Sequence, residues 1–396
     1  MNSLKKIIIF SLISLFACAS NKEKVKSNVE RIPIDLDKTK FCDDWGSIIE
    51  DIDFIPLETQ KDAVIGRIGK IQFQNNTILI KTSDHKVFAF SNIGKLVYHF
   101  SNIGKGKNEL PFVLDCCFGQ DKQLYIFGSD NYLIIDTAYN IVAEKNLPVS
   151  ECTSIGNSPV SWLVESSNVF FQWYNSNSVS PGNEKFCLYI TDSSGKILSK
   201  HFPYDHFTGE GSFPQSTGNI LVAPPNLNDT IYSFNQGAIN PMYYIDFGDK
   251  KYISGTYKTE TSEDLRSPHH LSSFFVRNGL CGEILDPVMN DEYVIFKFSS
   301  SKYRINCIYN KISKNVLLTT CYYNQIENLF TPLHIFASFD NYFVASIDAW
   351  KVRQLLDGRK TTCSFLPEKR RLELLEKLKN VKETDNPVLM IIKTKK

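Results

Sequence analysis

Ile71–Phe100, IQFQNNTILIKTSDHKVFAFSNIGKLVYHF, is the stretch that most limits how this chain can fold. Three short runs of apolar and β-branched residues are separated by polar turns at Gln74–Asn76, Ser83–Lys86 and Ser91–Lys95, which is the pattern of an antiparallel meander. A meander of this size cannot bury its own apolar face, so a chain that repeats it must stack the copies against one another. The unit does recur. Aligned on the strand after each first turn, it is anchored at Ile78, Leu124, Val169, Ile220, Tyr293 and Tyr342. Four of the five intervals are about 45–51 residues, the length of a four-stranded propeller blade, and the interval from Ile220 to Tyr293 is about 73.

Such an array exposes strand edges unless its ends meet. Ile52–Leu57 (IDFIPL) precedes the first full unit and Val388–Thr394 (VLMIIKT) follows the last, so these segments are the expected partners. The fold class expected is all-β: a six-bladed β-propeller closed by pairing of its N- and C-terminal strands, with one short C-terminal helix inserted in the last blade. That helix is Pro367–Val381, which opens with Pro and Glu and carries Leu372, Leu375 and Leu378 at helical spacing. The long interval, about residues 249–289, reads as an elaboration between blades, with Glu263–Arg266 as a short helix.

The 44 basic residues offset the 43 acidic ones to a net charge of +1, so no global field draws the protein to nucleic acid. Lys5 and Lys6, the apolar run Ile7–Phe16 and the small residues after it have the order of an export signal. Leu15-Phe16-Ala17-Cys18 resembles the lipobox of bacterial lipoproteins, whose Cys is acylated after cleavage; an ordinary cleaved signal is the alternative. The division expected is a signal peptide over 1–17, lipidated Cys18 with a tether over 18–33, and the propeller over 34–396. Removing Cys18 from the ten cysteines leaves nine, an odd number with no C-x-x-C spacing, which disfavours a zinc or thioredoxin-like site. Cys187, Cys307 and Cys321 fall in apolar strand runs, where Cys behaves as a small buried hydrophobe.

Several phrases resemble a family of bacterial lipoproteins with TolB-like six-bladed propellers. They are Asp53-Phe54-Ile55-Pro56-Leu57-Glu58-Thr59, then Asn228-Asp229-Thr230-Ile231-Tyr232 with Ile245-Asp246-Phe247-Gly248, and Asp385-Asn386-Pro387-Val388 near the end. Gly104–Glu109 is similar to the family's G-x-G-P-x-E loop, with Lys107 in place of Pro. The resemblance implies fold and cellular address, and carries no reaction.

Little in the chain announces chemistry. Gly104–Lys107 lacks phosphate-loop spacing. If the loop reaches the central channel, Lys105 and Glu109 are exposed charges at its mouth and the candidate binding residues. His269-His270 and the His201, Asp205, His206 group lack metal-ligand spacing. No cofactor is expected, with calcium left open because Asp, Asn and Glu from several blades can assemble a site. Phe170-Phe171-Gln172-Trp173-Tyr174 could stack a sugar or pack between blades. The function expected is an exported, lipid-anchored binding scaffold in the cell envelope, sorted to the outer membrane on either face. Its partners would be the membrane, through the anchor, and an envelope protein or carbohydrate. The rival is a metal-assisted hydrolase or lactonase with its site at the channel.

Overall fold

The computed structural model describes residues 29–38, 40–41, 45–147, 159–166, 169–174, 185–204, 214–216, 220–224, 229–235, 238–251, 268–300, 304–320, 329–330, 332, 334–358, 361 and 365–396. An N-terminal arm supplies β1 (Glu30–Pro33), β2 (Lys40–Phe41) and β3 (Ile49–Pro56). Sheet one is β4 (Ile68–Gln74), β5 (Thr77–Thr82), β6 (Val87–Ser91) and β7 (Leu96–His99). Sheet two is β8 (Asp115–Phe118), β9 (Leu124–Phe127), β10 (Asn131–Ile135) and β11 (Ile141–Asn146). Sheet three holds β12 (Pro159–Ser166), β13 (Val169–Tyr174), β14 (Lys185–Asp192) and β15 (Ile197–Tyr204). Sheet four has β16 (Ile220–Val222), β17 (Thr230–Asn235) and β18 (Ala238–Asp246), with β1 added parallel to β18.

Helix α1 (Pro268–Asn278) leads into sheet five: β19 (Gly282–Met289), β20 (Tyr293–Ser299), β21 (Arg304–Asn310) and β22 (Val316–Thr320), with β2 on its outer edge. Sheet six contains β23 (Ile335–Phe339) and β24 (Tyr342–Ile347). The chain then forms α2 (Ala349–Asp357) and α3 (Glu368–Leu378) before returning as β25 (Val388–Thr394), which pairs antiparallel with β3. Val388 lies opposite Pro56 and Ile392 opposite Ile52.

Burial follows position in the sheet. The second and third strands are apolar almost throughout: all of Leu124–Phe127 and Tyr132–Ile135 are buried. Strands covered on both faces read as continuous apolar runs, whereas the outer strand β11 alternates and then turns polar. Among the described residues, the core divides into six apolar clusters at the seams between sheets. Leu79 and Phe100 meet Cys116 and Ile126 between sheets one and two, and Cys117 and Tyr125 meet Val164 between two and three. Leu188 and Ile190 meet Val222 and Phe234 between three and four, and Ile231 and Ile245 meet Phe296 and Cys307 between four and five. Ile295 and Ile308 join Phe343 and Met390 between five and six, and Ile391 and Val344 meet Ile71 and Ile80 between six and one. The described cysteines 116, 117, 187, 281 and 307 are buried free thiols inside this packing.

The tight hairpins use the Asx acceptor rather than glycine alone. Asp136 Oδ1 accepts the N–H groups of Ala138 and Asn140, and Asn310 Oδ1 those of Ile312 and Ser313. With the turn held this way, Tyr139 (φ 64°) and Lys314 (φ 60°) occupy the left-handed position. Gly94 (φ 84°) has no such freedom, because a Cβ there would run into the carbonyl of Pro56 on β3.

Four expectations change. Glu30–Pro33 is a strand of sheet four rather than tether, because β18 would otherwise present a bare edge. Ile220 sits in the innermost strand of its sheet and not the second, which explains the uneven intervals on either side of it. The elaboration ends at Cys281, since Gly282–Met289 is the inner strand of sheet five; Glu263–Arg266 lies outside the described residues, and the helix found is α1. Two helices rather than one precede β25, and α3 buries Leu374 and Leu378 while Leu372 is 55% exposed. Docking against β3 turns the helix to the Leu374–Leu378 pair, one turn apart. Arg370 on α3 donates to the Ile52 carbonyl (2.9 Å), so the helix covers the outer edge of β3.

Candidate functional site

The seam between sheets six and one opens into a groove of about 840 Å³ on the face that carries the turns after β4 and β23. Its aromatic wall comes from residues beside those turns. Phe73 stacks on Phe339 with centroids 4.3 Å apart, and Phe339 stacks on Tyr342 at 5.5 Å. All three rings are half-buried. Asn75, Asn76 and Asn92, exposed at hairpin tips, also line the groove. Asn75 takes φ 46°, a left-handed turn conformation for which Asn is suited.

The inner end of the groove is built by a short strap, Pro214–Ser216, reached from sheet three. The Phe73 N–H donates to Gln215 Oε1 (2.5 Å), and Gln215 Nε2 donates back to the Phe73 carbonyl (2.7 Å). The side-chain amide thus pairs with β4 as another strand would. The Ser338 N–H donates to the Gln215 carbonyl (2.8 Å), and the Met289 N–H to Ser216 Oγ (3.2 Å). One three-residue segment therefore ties β4, β19 and β23 together.

At the outer end the charges are matched. Arg370 Nε donates to Asp51 Oδ1 (3.0 Å), and this hydrogen bond holds its guanidinium above the ordinary value. Lys377 Nζ reaches Asp53 (2.6 Å), and Lys393 Nζ reaches Glu50 (2.6 Å). The rim is charged, yet these groups pair with one another.

A second polar cluster lies where β19 begins and β20 ends. Lys297 Nζ is 3.4 Å from Asp286 and in contact with His334 Nδ1. Ser299 Oγ donates to Glu283 (2.5 Å). Burial pushes the Lys297 ammonium below its ordinary pKa, against the opposing pull of Asp286. Glu283 (φ 56°) and Asp286 (φ 49°) sit at two register shifts in β19 that re-aim their side chains. The void beside them is only about 10 Å³, room for at most one water. Among the described residues, no three His, Cys, Asp or Glu side chains are grouped to hold a metal ion.

The sequence candidates lie elsewhere. Glu109 curls back on its own loop: its carboxylate accepts the Gly106 N–H (2.7 Å). The Asn108 N–H donates to Glu144 on the outer strand β11 (2.7 Å), which fixes the loop against sheet two. Lys105 is exposed on the same loop. His201 contacts Ser199 Oγ (3.0 Å), and burial lowers its pKa. Cys18, Asp205 and His206, and the side chains of His269, His270 and Phe170–Tyr174, lie outside the described residues. Phe73, Phe339, Tyr342 and Gln215 escaped sequence reading because they are far apart in the chain and no motif joins them.

Seams packed between consecutive sheets of four or five strands define a β-propeller. The chain belongs to the family described as Domain of unknown function (DUF4934), whose model matches residues 32–393. No curated protein matches it. Among solved structures, the "Putative exported protein (BF0058)" of Bacteroides fragilis NCTC 9343 is 16% identical, with a TM-score of 0.71 over 92% of this chain and 100% of that one. That likeness supports the fold. The Pan2 WD40 domain of Neurospora crassa (11% identical, TM-score 0.33, 67% of this chain and 71% of that one) and the Dos1 propeller (14%, 0.36, 65% and 60%) match more loosely. Among the described residues, no helix is long and apolar enough to cross a membrane.

Proposed function

We propose that the six sheets are the blades of one closed ring of TolB-like type, clasped by β3 and β25, and that the ring is an exported, lipid-anchored binding protein whose site is the groove at the clasp. Six apolar seams, the last joining sheet six to sheet one, support the ring. The observation that carries binding is the groove itself: concave, walled by stacked aromatics, rimmed by exposed amides, and of ligand-holding size. The Lys297–Asp286–His334 cluster gives the hydrolase reading its closest support, but its side chains are spent on each other around a void too small for a substrate. The address rests on Cys18 and the apolar run before it.

Two measurements test this reading. Hydrogen exchange of the full chain with pooled neutral oligosaccharides, acidic oligosaccharides and peptides should slow at residues 73–77 and 338–342. Slowing confined to the loop of Lys105 and Glu109 would move the site there. A radiolabelled fatty acid should enter the wild-type chain and not Cys18→Ala in a lipoprotein-processing host; equal labelling would remove the anchor.

A further inference from the structure

Building on the groove as the binding site, we infer that its ligand is a neutral saccharide of a few pyranose rings, held with a C–H face on the Tyr342 end of the Phe73–Phe339–Tyr342 stack and its hydroxyls on the amides of the turns.

The chemistry of the lining selects this class. An anionic ligand needs cations that are not already satisfied, but Arg370 is bound to Asp51 and the Ile52 carbonyl, and Lys393 to Glu50. A cationic ligand meets the converse: Asp51 and Asp53 already face Arg370 and Lys377, and Asp340, the remaining carboxylate of the lining, is engaged in a contact of its own. These pairs are part-exposed, so an added charge would compete with a partner already in place while solvent screens what it gains. The uncharged lining includes the exposed amides of Asn75, Asn76 and Asn92 and three half-buried rings. Each amide offers a carbonyl acceptor and two N–H donors, which suits a hydroxyl that both gives and accepts. An aromatic wall suits a ring with an apolar C–H face. A purely apolar ligand would leave the amides unsatisfied, and an extended peptide would need a bare strand edge, whereas the edge of β3 beside the groove is covered by Arg370 and α3.

The strap sets the inner limit. Gln215 is locked to both polar atoms of Phe73 and to Ser338, so the floor is formed before any ligand arrives and little is lost to ordering it. A saccharide would lie along the groove from the strap outward to Arg370.

The test is calorimetric titration of the full chain with neutral hexaoses of glucose, mannose, galactose, xylose and N-acetylglucosamine, together with oligogalacturonate and an acidic and a basic decapeptide. A neutral hexaose is expected to bind, with affinity changing less than about twofold between low and high salt, because no ion pair forms. Tyr342→Ala and Asn76→Ala should each weaken it at least about tenfold, the loss of one ring contact or one hydrogen bond to a polar ligand. Asn76 is exposed in a turn, so its replacement leaves folding intact and keeps the result readable if Tyr342→Ala unfolds. Binding of oligogalacturonate or a peptide instead, lost in the same variants, overturns the saccharide and keeps the groove. Hexaose binding that survives both variants overturns the groove. Failure of every neutral hexaose to bind at millimolar concentration overturns the inference.

Discussion

Asn386 shows what one buried polar residue can hold. It is 1% exposed, and its Nδ2 donates to the carbonyls of Glu58 (2.8 Å) and Ala63 (2.9 Å), its Oδ1 accepts the Ile65 N–H (2.7 Å), and its own N–H donates to Thr59 Oγ1 (2.7 Å). The segment leaving β3 is thereby fastened to the one entering β25. Asn386→Ala strands two buried backbone groups and a part-buried one and is expected to lower the unfolding free energy by roughly 3–5 kcal/mol, read from urea midpoints at constant m-value. Lys70 and Asp115 pose a different case: a buried ion pair (2.9 Å) joins the inner strands of sheets one and two. Lys70→Met alone leaves a buried carboxylate and should cost about 3–5 kcal/mol, whereas Lys70→Met with Asp115→Leu should cost much less. A double mutant as unstable as the single would show that the pair gives net stability.

At the scale of elements, the N-terminal arm borrows its order from three sheets. Strand β1 is held by charge as well as by its ladder: the Arg31 hydrogen bond (2.7 Å) keeps Asp246 below the usual carboxylate range. Burial raises Glu30, but bonds from Lys314 and Tyr309 outweigh it and leave Glu30 low. A carboxyl depressed in the fold contributes stability that is present above its unfolded value, 4.5 for Glu30 and 3.8 for Asp246, and is lost as pH falls through the folded value. Acidification from about pH 5 to pH 3 should therefore release β1 first, seen as falling amide protection factors at Arg31–Ile34 while Leu124–Phe127 stay protected. Protection that falls together at both places would sink this order. The meander pattern was legible for most strands because alternation and turn residues are local signals. Strand β1 was not legible, because ERIP carries no pattern and becomes a strand only beside β18.

For the whole molecule, sheet six is the decisive element, since β25 lies between β24 and β3, strands drawn from opposite ends of the chain. Removing Val388–Lys396 takes out a central strand and five apolar residues buried at the seams with sheets one and five. The truncated chain is expected to lose cooperative unfolding altogether, measured by far-UV circular dichroism and tryptophan fluorescence in urea. A two-state transition of wild-type slope would mean that the sheets are stable without β25. The candidate site belongs to this scale as well. Phe73, Gln215, Phe339 and Tyr342 are brought together by the seam and the strap alone, so no spacing in the chain could reveal them.

Most of the strands, their turns and the pairing of IDFIPL with VLMIIKT could be read from the amino acids, because periodic burial and turn chemistry act over a few residues at a time. That ERIP edges sheet four, that α3 faces inward through Leu374 and Leu378, and that a groove opens where sheets six and one meet, emerged from packing. Those outcomes depend on which edges and faces are left uncovered once the sheets pack, a quantity no local stretch of the chain contains.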